Sequence, residues 1–230
     1  MTQGHGKPTL CACAVWGSQN IHTEKYSLSE AFREKSPAEA RHLYDDWATS
    51  YERDNLVKGY RLPWMAAAFA ARHLTEGAGP ILDAGCGTGL VGEALSVLGF
   101  GPISGCDLSP EMIGLARSRG VYAALDSQDL GQAMPYPDHH FAAFTCIGCY
   151  GPGHAPPESL LELVRVTRVG GLGIFSLAEI GLSAPRFAPL IKTLIKDGRW
   201  RPRAKSPAFR PYVIDEPDLV THLHVYEITS

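Results

Sequence analysis

The sequence predicts an α/β protein, a doubly wound and mostly parallel sheet with helices on both faces and a helical N-terminal extension. Three observations predict it. After Pro80, short apolar runs alternate with amphipathic stretches of helical length. Strands and helices in that alternation pair in parallel through right-handed crossovers. The first run, Ile81-Leu82-Asp83-Ala84, leads straight into a glycine-rich loop. Before Pro80 the apolar spacing is helical, not alternating.

Residues 1–30 are polar and aperiodic and are expected to be a disordered tail. Residues 31–79 are expected to form a helical lid and residues 80–230 the main part of one globular domain. Ser36 fits an N-cap, Pro37 the first helical position and Glu39 the return partner of a capping box. Leu43, Trp47 and Tyr51 then fall four apart on one stripe. A second helix is expected over Leu62–Leu74, ended by Gly77 and Gly79. Next come a strand at 81–84, a helix over 90–98, a strand at 103–106 and a helix over 110–119. A strand at 121–125 and another at 141–147 follow, then a helix over 157–167 and a strand at 172–177. The remainder holds a helix over 189–196 and two strands, the last at 222–228.

The bulk properties narrow the function classes. A chain of 230 residues, 45% hydrophobic and with net charge −3, buries one sizeable core and shows no global bias toward nucleic acid. No apolar run reaches membrane-spanning length. Leu10–Trp16 sits at the short limit for a signal peptide, so a plain tail is preferred. The six cysteines show no disulfide framework. Cys11-Ala-Cys13 with Cys146-Ile-Gly-Cys149 reads as buried small hydrophobes before it reads as a metal site. The expectation is a reduced, monomeric, cytoplasmic protein, with the nucleus also open to it, no bound metal and no membrane partner.

The stretch 85–92, GCGTGLVG, carries two fingerprints. Gly87-Thr-Gly89-Leu-Val-Gly92 satisfies GxGxxG, the dinucleotide signature, whereas Asp83-Ala-Gly85-Cys-Gly87-Thr-Gly89 satisfies DxGxGxG. Both cofactor classes use glycine after the first strand and an acid closing the second, here Asp107. Charge separates them. A dinucleotide brings a doubly negative pyrophosphate to this loop; S-adenosylmethionine brings a sulfonium and an ammonium against one carboxylate. Asp83, at the strand end, would repel the first and complement the second. The GxGxxG run also starts several residues beyond the strand, too late for a dinucleotide turn.

ILDAGCGTGLVGEAL followed by GCDLSPEMIGLAR resembles the first two blocks of class I S-adenosylmethionine-dependent methyltransferases. MPYPDHHFAAF and LLELVRVTRVGGLGIFS resemble the fourth-strand and fifth-strand blocks, so the likeness covers roughly residues 80–178. More narrowly, LYDDWATSYERD with GYRLP resembles the Williams–Beuren-region methyltransferase-like subgroup, from about Tyr44 onward. The family implies a Rossmann-like seven-stranded sheet and S-adenosylmethionine as methyl donor, with S-adenosylhomocysteine as product and an acceptor that the resemblance does not identify.

The resemblance also implies roles. The backbone from Asp83 and Ala84 through Gly85, Cys86, Gly87 and Thr88 would pass beside the methionine part of the donor. Asp83 would reach the ammonium through water. Asp107 would bind the ribose diol, against the plainer reading of a helix N-cap. Leu108 and Met112 would pack on adenine. Asp129, with Asp126 as rival, would accept from the adenine amino group beside the Leu130 amide. Cys146 and Ile147 would close the fourth strand against the ammonium. Tyr51 and Arg61 are candidates for the donor's carboxylate, Arg61 through a bidentate fork. Tyr150 and His154 are candidates for acceptor contact, His154 also as a base. His139-His140 reads as a solvated turn at the wrong sheet edge.

Three functions remain open: a methyltransferase acting on a small molecule or protein, a cofactor-binding module without turnover, and an RNA-binding methyltransferase. The last rests on eight Lys or Arg against one acid between Arg186 and Arg210, with aromatics interleaved. The fourth-strand loop lacks the Asp/Asn-Pro-Pro-Tyr/Phe pattern of nucleic-acid amine methylation, which counts against a nucleic-acid acceptor.

Overall fold

The computed structural model describes residue 31 and residues 33–179 and 183–230. The expected tail, Cys11 and Cys13 lie outside the described residues. The capping box forms as the sequence predicts. Glu39 accepts from the Ser36 amide at 2.8 Å, and Ser36 opens helix α1, Pro37–Leu56. Helix α2 follows at Leu62–Ala71, with Pro63 in its first turn.

The α/β alternation then runs β1 (Ile81–Ala84), α3 (Leu90–Val97), β2 (Ile103–Asp107), α4 (Pro110–Ser118), β3 (Tyr122–Ser127) and β4 (Phe141–Cys146). It continues through α5 (Ser159–Val166), β5 (Thr167–Ala178), α6 (Ser183–Lys196), β6 (Trp200–Lys205) and β7 (Thr221–Ile228). The helix expected at Pro189 starts earlier, at Ser183, and Pro189 lies inside it. β5 is also longer than its apolar run. Gly170 at φ +79 carries the chain through a bend within it.

The seven strands order as β3-β2-β1-β4-β5-β7-β6. The first five are parallel, and β7 enters antiparallel to β5 and β6. This is a Rossmann-like, doubly wound order, seven-stranded as the resemblance implies. Two apolar layers flank the sheet. On one face α5 and α6 bury Leu160, Leu163, Phe187 and Leu194 against Leu82, Phe144 and Phe175. On the other, α2 and α3 bury Ala66, Ala67, Ala70 and Leu95 against Ile81, Ile103 and Ile174. Strand order reverses between β1 and β4, so the crevice beyond their carboxyl ends is where such a sheet takes a ligand.

Helix α1 is tied across that end. Ser109, the N-cap of α4, donates from Oγ to Asp45 at 2.5 Å. From the other side, the segment ahead of β7 meets the α1–α2 junction. The Arg61 amide donates to the Pro211 carbonyl at 2.9 Å, and the Tyr212 hydroxyl to Asn55 at 2.6 Å. Among the described residues no helix is long and apolar enough to cross a membrane.

Candidate active site

A cleft of about 410 Å³ opens at the switch point. Its floor holds Gly85, Gly87, Asp107, Leu108 and Met112 from the first two strand ends, with Asp129, Leu130 and Ile147 from the next two. Tyr44 and Tyr51 of α1 and Tyr60 after it form the opposite wall. Lys35 and Arg186 also line the cleft, on the segment before α1 and on α6.

The glycines have a steric reason to be there. Gly85 sits at φ +68, and a Cβ on it would fall 2.2 Å from Cys149 Sγ. Gly87, at φ +53, has nothing within 4 Å of where its Cβ would stand. A side chain on either would be strained, and on Gly87 it would project into open space. Asp107 fastens this loop: one oxygen accepts from the Gly87 amide at 2.8 Å and the other from the Ser109 amide at 2.9 Å. Burial pushes its carboxyl upward while those amides pull it down. The helix cap here is Ser109, not Asp107, since Ser109 Oγ accepts from the Met112 amide. Asp129 lines the cleft and accepts from the Gly131 amide; Asp126 is turned away to the Tyr136 hydroxyl.

Several expected residues stand elsewhere. Asp83 does not face the cleft. Strand alternation puts Leu82 and Ala84 on the α5 face and turns Asp83 toward α3. There its two oxygens accept from Thr145 at 2.8 Å and Tyr122 at 2.7 Å. Burial, against those bonds, pushes its carboxyl up to about 6. The negative charge facing a ligand from the cleft floor therefore comes from Asp107 and Asp129, with Glu34 at the rim beside Lys35. Arg61 does not line the cleft either: its Nε donates to the Arg210 carbonyl at 2.9 Å. Ala84 and Cys146 are packed in the core. Cys86 turns its thiol against Ile113 and Ala116, and Thr88 is buried beneath the loop, where its carbonyl accepts from Arg119.

Arg119, at the end of α4, joins three elements. Its Nε donates to the Thr88 carbonyl at 2.6 Å, one terminal nitrogen to Glu93 of α3 at 2.5 Å, and the other to Glu52 of α1. One guanidinium thus fixes the glycine loop and α1 together.

Beside the cleft lies a smaller chamber of about 70 Å³. Tyr44, Tyr51, Tyr60, Gly148 and His154 line both spaces, so they form the shared wall. Trp47, Tyr150 and Tyr212 complete the chamber's aromatic lining. Tyr150 thus belongs to the chamber and His154 to the wall. Burial holds the Tyr44, Tyr51, Tyr60, Tyr150 and Tyr212 hydroxyls well above their ordinary range, so all are neutral. Sequence reasoning missed Tyr60, Tyr212, Gly148 and Cys149. No spacing rule links a tyrosine near residue 60 to one near 212.

The cleft suits a positively charged nucleoside better than a diphosphate. Its floor offers two carboxylates, and Asp107, at the end of β2, keeps acceptor lone pairs beyond those its amide bonds use. The cations, Lys35 and Arg186, come from outside that floor.

Residues 81–171 match the family model for a methyltransferase domain. Human methyltransferase-like protein 27 is 38% identical over 141 residues, 59% of this chain and 56% of that protein. A demethylmenaquinone methyltransferase of Tropheryma whipplei is 31% identical over 66% of this chain and 62% of its own. The chain therefore spans less than two thirds of the length of either relative. A solved TehB-like S-adenosylmethionine-dependent methyltransferase from Corynebacterium glutamicum superposes with TM-score 0.60 at 21% identity, covering 84% of this chain and all of that one. Residues 81–171 thus match a methyltransferase domain by sequence, and they form the centre of the Rossmann-like sheet.

Proposed function

We propose that this chain is an S-adenosylmethionine-dependent methyltransferase with an acceptor still to be identified. The observation that carries the reading is the coincidence of the matched domain's glycine loop and Asp107 with the lining of the 410 Å³ cleft. In this reading Asp107 accepts from the ribose hydroxyls, Leu108 and Met112 bracket the base, and Asp129 with Leu130 reads its edge. The backbone at Gly85–Gly87 and Ile147 runs beside the amino-acid part, where Tyr51 supplies a hydroxyl. Bound there, the donor supplies a methyl group on a positively charged sulfur.

The chain's own task is placement. Aligning nucleophile, carbon and leaving group can supply several of the ~7–11 kcal/mol available from positioning alone. Residues 31–79, through Tyr44, Tyr51 and Tyr60, form the lid that excludes water.

Calorimetry with S-adenosylhomocysteine and, separately, with NAD tests the cofactor. Micromolar binding of the first with none of the second supports the reading, and the reverse pattern ends it. Labelled methyl transfer into fractionated cell extract then tests turnover.

A further inference from the structure

The wall between cleft and chamber contains an ordered hydrogen-bond chain. His154 Nδ1 lies 2.8 Å from the Pro152 carbonyl, and its Nε2 lies 2.7 Å from the Tyr44 hydroxyl. A carbonyl can only accept, so Nδ1 carries the proton. In the neutral ring Nε2 is then a lone pair, and Tyr44 donates to it. The Tyr44 oxygen keeps its own lone pairs for a third group. Both residues line the chamber as well as the cleft.

The chamber itself restricts what that third group belongs to. Among its described lining residues none is Asp, Glu, Lys or Arg. Six aromatic side chains besides His154 surround it: Tyr44, Trp47, Tyr51, Tyr60, Tyr150 and Tyr212. Such a lining gives a carboxylate or phosphate no cationic partner to offset its desolvation and favours flat apolar surface. Its 70 Å³ is about half of the ~150 Å³ dry cavity that holds benzene. It admits one edge of a ring while the rest lies along the shared wall.

We propose that the chamber is the acceptor site, taking the hydroxyl-bearing edge of an uncharged planar ring whose proton leaves through Tyr44 to His154. The proposal rests on the methyltransferase reading and names its acceptor class. In the step, the acceptor O–H bond breaks as the O–CH₃ bond forms, and the electrons of the carbon–sulfur bond stay with the departing thioether. The acceptor's proton goes to the Tyr44 oxygen while the Tyr44 proton passes to His154 Nε2. Neutral acceptor, sulfonium and imidazole thus become neutral ether, thioether and imidazolium, and the charge balances.

Burial pulls the imidazole down to about 4, so it is neutral and ready to accept, yet a weak base. A weak base cannot deprotonate an alkylammonium ahead of methyl transfer. It can take the proton of a phenolic or enolic hydroxyl that becomes strongly acidic as the methyl group arrives. The uncharged aromatic lining, not the base, restricts the acceptor to a planar ring.

The test uses the full chain. Saturated first with S-adenosylhomocysteine, it is titrated with 1-naphthol, 1-naphthylmethylammonium and 1-naphthoate while tryptophan fluorescence is followed. Naphthol should bind at least tenfold more tightly than either charged analogue, and Ala178→Leu, which fills the chamber, should abolish its binding while S-adenosylhomocysteine still binds. Equal binding of a charged analogue, or naphthol binding that survives Ala178→Leu, overturns the proposal and leaves the cofactor reading standing. Failure to bind S-adenosylhomocysteine removes both.

With labelled donor and naphthols of rising acidity, Tyr44→Phe and His154→Gln should each lower kcat on 1-naphthol about 100-fold, with KM changed less than threefold. The loss should shrink steadily as the naphthol becomes more acidic. A purely structural role would cost every naphthol alike, and that result, or no transfer to any naphthol, overturns the relay.

Discussion

The Tyr122 hydroxyl donates to the Asp83 carboxylate at 2.7 Å, and the ring reaches it by passing between two glycines. A Cβ on Gly92 of α3 would stand 2.3 Å from the Tyr122 oxygen, and one on Gly105 of β2 would stand 2.8 Å from its ring. Gly92 is the last glycine of the apparent GxGxxG. Its smallness serves this tyrosine, which gives the last glycine of the GxGxxG pattern a packing reason of its own.

Gly92→Ala should therefore destabilise the chain by about 1–3 kcal/mol through overpacking. Tyr122→Phe should cost about 1–3 kcal/mol by leaving a buried carboxylate short of a donor. The double variant should lose clearly less than the sum, because both changes act on one contact. Urea unfolding of the four proteins measures it, and simple additivity would mean that the two residues act independently.

Asp83 also gives the fold a pH dependence. Its folded-state value of about 6 lies above its ordinary 3.8, so between those values the folded state holds more protons than the unfolded one. The contribution of Asp83 is fully present below about pH 3.8 and is lost as pH rises through about 6. The shift of roughly two units corresponds to about 3 kcal/mol. Asp83→Asn sets an amide against the Thr145 and Tyr122 donors and does not titrate. The stability difference, wild type minus variant, should thus fall by about that amount between pH 4 and pH 7.5. A difference flat with pH would place the Asp83 carboxyl at its ordinary value.

The fold was legible because its signals are local. The Ser36–Glu39 box, the run Ile81–Ala84 and the Gly85–Gly89 loop each declare an element within a few residues. The lining of the candidate site was legible where it shares those elements: Gly85, Gly87, Asp107 and Leu108 follow directly from strand ends. Asp83 misled because its spacing places it at the strand end without stating which face it takes. The single residue of alternation that turns it toward Tyr122 depends on β1 pairing, not on the motif. Arg61 misled for a related reason, since the Arg210 carbonyl that receives it lies about 150 positions away. The aromatic chamber left no trace in the sequence, because Tyr44, Tyr60, Tyr150 and Tyr212 come from four separate segments. The Tyr60–Tyr212 bridge, the Tyr212–Asn55 bond and the β4-end loop bring them together.

In the proposed reading Asp107 has two tasks at once, and they can be separated. Asp107→Ala would remove both the proposed ribose acceptor and the clasp on the Gly87 amide. S-adenosylhomocysteine affinity should fall about 100-fold or more, in keeping with loss of charge-assisted hydrogen bonds worth about 1.5–3 kcal/mol each. Asp107→Asn keeps one carbonyl for the loop and should retain the fold and its melting temperature more fully while still losing at least tenfold in affinity. Calorimetry beside thermal unfolding reads both. Unchanged affinity in the alanine variant would remove Asp107 from the cofactor site.

Arg119 makes a different prediction, because it acts on mobility more than on stability. Its bonds to Glu52, Glu93 and the Thr88 carbonyl tie α1 and α3 to the glycine loop, yet the two carboxylates are partly exposed, at 36% and 44%. Ion pairs so exposed contribute little to global stability. Lysine has one ammonium and cannot reproduce a three-way planar fork. Arg119→Lys should leave the urea midpoint almost unchanged but release α1 locally, so amides in Pro37–Leu56 and in the 85–89 loop should exchange several-fold faster. Because α1 also forms the wall over the cleft, S-adenosylhomocysteine should dissociate about 3–10-fold faster with little change in its association rate. Hydrogen exchange and stopped-flow displacement measure the two effects. Faster dissociation without faster exchange in α1 would show that Arg119 acts on the loop alone and that α1 is held by its other ties, Ser109–Asp45 and Tyr212–Asn55.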